Sequence, residues 1–133
     1  MAGTKVLDSW ALMCYLEHEP GYEKVVDLFE KASSASKPLL MCVVNWGEVY
    51  YQIVRRLGET KAQEIERLIQ SFPIMLVTAD KDLTREAARF KATKRMAYAD
   101  CFAAALAKLK RAELVTGDKE FRQVEGEIRL QWL

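Results

Sequence analysis

The sequence predicts an α/β protein: a central, mostly parallel sheet of about four to five strands with helices on both faces. Two observations carry this. Residues 39–44 and 73–78 are short, nearly continuous apolar runs, the pattern of strands covered on both sides. Such runs alternate along the chain with longer stretches of helical period, the order that strand–helix–strand units produce. A length of 133 residues makes residues 1–133 a single domain.

The elements follow in order. Lys5-Val6-Leu7 is a first strand ending at Asp8, and residues 9–17 carry apolar side chains at Ala11, Leu12, Tyr15 and Leu16, a helical spacing. Pro20-Gly21 breaks the chain before a second amphipathic helix over residues 22–32. After a polar turn comes the second strand, residues 39–44, with Asn45 starting a helix that Gly58 ends. Residues 60–71 form a further helix, giving a helical hairpin. Residues 73–78 are a third buried strand, and Asp80 caps a helix running to about Lys91. A basic loop at 93–96 leads to an alanine-rich helix over residues 99–110, a strand at 113–115, a short helical segment at 119–122 and an alternating edge strand at 128–132.

Half the residues are apolar and 29% are charged, which argues for a folded core rather than disorder. No apolar run approaches the ~20 residues of a membrane span, and no basic-then-apolar leader opens the chain, so a cytoplasmic protein without membrane contact is expected. Cys14, Cys42 and Cys101 lie inside apolar elements without CxxC spacing and read as buried free thiols. The formal charge of +1 gives no global electrostatic case for nucleic-acid binding; any such case is local.

Ligands of open α/β sheets bind beyond the carboxyl ends of the strands. Asp8, Glu48, Asp80 and Asp118 fall at or just after such ends, and Asp100 opens the alanine-rich helix. Each has a structural explanation. Asp8 is placed to cap the first helix, Asn45-Trp46-Gly47-Glu48 fits a capping box, and Asp100 and Asp118 are favoured by helix N-terminal dipoles. Capping, however, has no need for carboxylates on one edge of the sheet. A cluster of them is costly unless cations sit among it, and oxygen-only donors suit Mg²⁺ or Mn²⁺. His18, between Glu17 and Glu19, reads as a surface residue at a helix end.

Val6-Leu7-Asp8-Ser9-Trp10-Ala11, Asn45-Trp46-Gly47-Glu48-Val49-Tyr50, Tyr98-Ala99-Asp100-Cys101 and Leu114-Val115-Thr116-Gly117-Asp118-Lys119-Glu120-Phe121 resemble, in order and spacing, the PIN-domain ribonucleases, and most closely their VapC-like toxins. The resemblance implies a single PIN-like three-layer domain. It also implies that Asp8, Glu48, Asp100 and Asp118 hold one or two divalent ions, with Ser9 and Thr116 as polar residues at the rim. Trp46 and Gly47 depart from the small or aliphatic residues common in the family beside this glutamate. Val77-Thr78-Ala79-Asp80-Lys81-Asp82-Leu83 echoes the Asp118 motif nearly position for position; family pattern assigns Asp80 to capping, and Gly117 offers backbone freedom that Ala79 lacks.

The activity so implied is metal-assisted hydrolysis of RNA phosphodiesters, by the toxin of a toxin–antitoxin pair. Lys91, Lys94, Arg95 and Lys119 could meet substrate phosphates. Trp10, Trp46 and Tyr98 read first as packing residues and second as base-stacking surfaces. Partners implied by the resemblance are RNA, a small antitoxin whose segment covers the acidic cleft, and a second copy of the chain. Two other classes compete: a catalytically idle PIN-like domain binding RNA or protein, and phosphoryl transfer on an aspartate. Against the latter, Asp8-Ser9-Trp10 lacks the second aspartate that dehalogenase-like folds use, and no acidic pair closes the first strand as in receiver folds.

Overall fold

Five parallel strands form one sheet, in the order β3-β2-β1-β4-β5, in the computed structural model, which describes residues 3–133. The strands are β1 (Lys5–Leu7), β2 (Leu39–Cys42), β3 (Ile74–Val77), β4 (Glu113–Thr116) and β5 (Arg129–Trp132). Between them run α1 (Ser9–Leu16), α2 (Tyr22–Ser34), α3 (Val43–Leu57), α4 (Glu59–Ile69), α5 (Lys81–Thr93) and α6 (Tyr98–Lys110), with a 3-10 helix at Lys119–Val124.

Strand alternation builds two cores, because successive side chains leave opposite faces. Val6, Cys42 and Leu114 pack with α5, α6 and the 3-10 helix, whereas their neighbours Leu7, Met41 and Val115 pack with α1, α2, α3 and α4. The three-layer expectation is therefore met. Helix α6 is buried from Cys101 through Ala107, and its alanines at 103, 104, 105 and 107 let it lie close to both the sheet and α5. Buried Glu86 of α5 holds the two helices together, accepting from Lys108 at 2.8 Å and Arg89 at 3.0 Å.

Three local expectations are corrected. Helix α3 starts at Val43, not Asn45: β2 passes directly into it through Cys42, whose extended backbone serves as N-cap without a side-chain bond. Asn45 and Glu48 therefore lie inside the helix and form no capping box. The strand at β3 is not covered on both faces; it is the sheet edge, with Met75 52% and Leu76 45% exposed. An apolar run alone does not reveal whether a strand has one neighbour or two. Thr116 extends β4 by one residue and pairs with Trp132 of β5, the edge strand expected at the end of the chain. The three cysteines are free and buried, as expected. Among the described residues no helix is long and apolar enough to cross a membrane.

Candidate active site

Strand order decides which carboxylates can meet. β1 and β4 are neighbours, with Leu7 opposite Val115, so the next residues along, Asp8 and Thr116, come out side by side. The Thr116 hydroxyl donates a short hydrogen bond to Asp8 Oδ2, and the Ala11 N–H donates to Asp8 Oδ1 at 2.8 Å, making Asp8 the cap of α1. The Asp118 N–H in turn donates to Thr116 Oγ1 at 3.0 Å, and Asp118 caps the 3-10 helix by accepting from the Glu120 N–H at 3.0 Å. Thr116 is thus wholly buried beneath the site rather than at its rim.

Glu48 arrives from the other side, in the second turn of α3. Its Oε1 accepts from the Ser9 hydroxyl at 2.9 Å and from Asn45 Nδ2 at 3.3 Å. Asn45 is fully buried and also donates to the Ala99 carbonyl at 2.9 Å, tying α3 to the first turn of α6, where Asp100 stands. Its own Oδ1 is buried with no partner among the described residues. Sequence reading took Asn45 for a cap and missed this tie; the available signal was an amide one turn from an acidic residue on the same helix face.

Glu48, Asp100 and Asp118 line one cleft of about 600 Å³, together with Ser9, Trp10, Glu17, Glu19 and Arg56. Asp8, 1% exposed, lies under its floor. Burial is the main reason the Asp8 carboxyl is pushed up to about 7; Asp100 and Asp118 add to it, and the two hydrogen bonds oppose it. Asp100 is also raised to about 7, by desolvation first and then by Asp118, Glu48 and Glu120.

Other predicted residues fall outside this group. Asp80 caps α5 through the Leu83 N–H at 2.9 Å, and follows edge strand β3, separated from β1 by β2. Lys94 pairs with Glu127 at 2.8 Å, and Lys91 donates to the Met96 carbonyl at 2.7 Å. The Gln123 side chain clasps the backbone of Arg95, leaving its exposed guanidinium free of that clasp. Lys119 is exposed beside Asp118. His18 is exposed and stacks on Tyr22.

Gly117 has a different role from the one its sequence context indicates. Its φ is not in the left-handed region, so backbone freedom is not what it provides. A Cβ there would stand 2.2 Å from the Trp10 ring: glycine makes room for the indole.

Among the described residues no group of three or more His, Cys, Asp or Glu side chains stands as a metal-binding arrangement. Local hydrogen bonds already occupy both oxygens of Asp8 and one each of Glu48 and Asp118. The donor chemistry nevertheless fits a hard divalent ion. It is all oxygen, and two of its carboxyls carry a penalty for ionising that a cation would remove.

Solved structures share the fold over nearly their whole length. A chain of DNA-bound VapBC from Salmonella typhimurium superposes with a TM-score of 0.78 at 17% identity, covering 97% of each chain. A chain of VapBC2 from Rickettsia felis, bound to a promoter DNA fragment, gives 0.77 at 15% identity and 98% of each chain. VapC20 of Mycobacterium tuberculosis, a sarcin–ricin loop cleaving toxin, gives 0.68 at 16% identity over 91% of this chain and 95% of that one. No curated protein matches the sequence. The family model for the PIN domain matches residues 5–127, from the first residue of β1 to within two residues of β5, and by that match the chain belongs to the PIN domain family.

Proposed function

We propose that this protein is a metal-dependent endoribonuclease, the toxin of a toxin–antitoxin pair. The observation that carries the reading is the convergence of Glu48, Asp100 and Asp118 on one cleft, over a buried Asp8, from four separate segments of the chain. Capping accounts for Asp8 and Asp118 singly. It does not account for placing two carboxyls where burial and neighbouring carboxylates raise them to about 7.

Asp8, Glu48, Asp100 and Asp118 would hold one or two Mg²⁺ or Mn²⁺ ions, which supply an activated water and neutralise charge on the phosphate and the departing oxygen. The chain's own residues set the frame. Ser9 and Asn45 hold Glu48 by one oxygen and leave the other open to the cleft, while Thr116 orients Asp8 and the backbone leading to Asp118. No side-chain nucleophile is required. Likeness to VapBC complexes supports an antitoxin as protein partner; a segment of it lying over the acidic cleft, and a homodimer, are the arrangement proposed.

The test is cleavage of a mixed RNA panel by purified protein in Mn²⁺ or Mg²⁺, with chelator and with Asp100→Asn and Asp118→Asn. Cleavage that needs the metal and falls by at least ~100-fold in Asp100→Asn supports the reading. Equal cleavage by wild type and both variants would assign the activity elsewhere, and a protein that binds Mn²⁺ but cuts nothing would be the idle domain.

A further inference from the structure

Trp10 is the second residue of α1, and it packs on one side only. It is 37% exposed and lines the cleft with Glu48, Asp100 and Asp118. Its six-membered ring rests on the backbone of Gly117, so closely that a Cβ at 117 would lie 2.2 Å from Cη2, 2.3 Å from Cζ3 and 2.7 Å from Cζ2. Side-chain atoms do not approach to such distances, so a glycine is the condition for the indole to lie where it does. The ring is therefore seated between the residue that orients Asp8 and the candidate ligand Asp118, with part of its surface open to the cleft.

The other aromatic candidates are differently employed. Trp46 stacks on Tyr50 at 5.3 Å and does not line the cleft, and Tyr98 packs edge-on against Phe102.

The cleft's charge gives the exposed indole its significance. Its lining includes Glu17, Glu19, Glu48, Asp100 and Asp118 against Arg56, and the Arg56 guanidinium is paired with Glu17. A polyanion entering this cleft meets little uncommitted positive charge from the walls. Beyond the metal ions proposed above, its grip rests on contacts that do not depend on charge, and base stacking on an aromatic side chain is the contact nucleic acids offer. A side chain already locked by its seat loses little freedom on making it.

We infer that Trp10 is the base-stacking residue of this cleft, taking an unpaired nucleobase next to the bond to be cut. The inference rests on the nuclease reading. Duplex RNA is disfavoured because both faces of its bases are covered by their neighbours, whereas unpaired bases can splay out onto a ring.

The experiment compares wild type, Trp10→Phe and Trp10→Ala on a single-stranded 12-mer RNA and on its duplex in Mn²⁺, with Mn²⁺ affinity measured for each protein. Stacking predicts that Trp10→Ala lowers kcat/KM by about 5- to 150-fold, that Trp10→Phe retains most of the activity, and that Mn²⁺ affinity is unchanged in both. It also predicts that wild type cuts the duplex at least ~10-fold more slowly. If wild type cleaves and Trp10→Ala matches it within about twofold, the inference falls and the nuclease reading stands. If activity and Mn²⁺ affinity fall together in both variants, Trp10 is only a wedge that holds Asp118, and the inference is again overturned.

A second readout separates the two readings should wild type cut nothing. Trp46→Phe/Trp132→Phe leaves Trp10 as the sole indole of the three. Saturable quenching of its emission by the single-stranded 12-mer in Mg²⁺, absent with the duplex, sustains stacking without cleavage. Unchanged emission overturns it and leaves the ring for a protein segment.

Discussion

Replacing Asp8 by asparagine is expected to shift the stability of the metal-free protein in the variant's favour by an amount that grows with pH. The Asp8 carboxyl is 1% exposed and sits at about 7 against an ordinary value of 3.8. Its folded value is raised, so the folded state binds the extra proton between those limits and stability falls as pH rises through them. The slope is about 1.4 kcal/mol per pH unit for one such group, and the full penalty, reached above pH 7, is about 4 kcal/mol. Asparagine keeps the cap, accepting from the Ala11 N–H, gives up the bond from the Thr116 hydroxyl at every pH, and does not titrate. The stability gap between variant and wild type should therefore change by about 2 kcal/mol between pH 4.5 and 6.5 and level off above pH 7.5. Urea unfolding in chelator at four pH values measures it, and contributions common to both proteins cancel in the difference. A gap that does not change with pH would refute the assignment of a carboxyl raised by burial.

Divalent metal should bind more tightly as pH rises, because it competes with protons on Asp8 and Asp100, and its affinity should flatten just above pH 7; Mn²⁺ titrations at pH 6 and pH 8 would detect this, and equal affinities would contradict it. Gly117→Ala drives a methyl into the Trp10 ring and should cost about 1–3 kcal/mol, with most of the loss recovered in Gly117→Ala/Trp10→Leu, as read from thermal melts of the single and double variants. Asn45→Leu removes the donor to the Ala99 carbonyl and to Glu48, and a loss of about 1–3 kcal/mol in urea unfolding is expected.

What could be read in the chain was local. Apolar runs and helical period placed every strand and helix of the sheet to within a few residues, and the caps at Asp8 and Asp80 were legible because side chain and backbone partner lie three residues apart. Even so, the start of α3 was misread. Val43 and Val44 are β-branched residues that favour a strand, and only the fold, in which β2 turns directly into the helix, makes them helical.

The twin motifs around Asp80 and Asp118 show where local reading stops. Their chemistry is nearly the same in sequence, but Asp118 leaves β4, which pairs with β1, and Asp80 leaves β3 at the sheet edge. Likewise, nothing near Gly117 in the chain announces the indole from residue 10 that needs its missing side chain. By itself the sequence determined the α/β class, the elements and the carboxylates available to a site, because periodicity and capping act over a turn or two. Only the tertiary structure decided which carboxylates share the cleft, that Asn45 ties α3 to α6, and that Trp10 lies open beside Asp118. Those facts depend on strand order and on contacts between residues far apart in the chain, where packing rather than local preference is the controlling force.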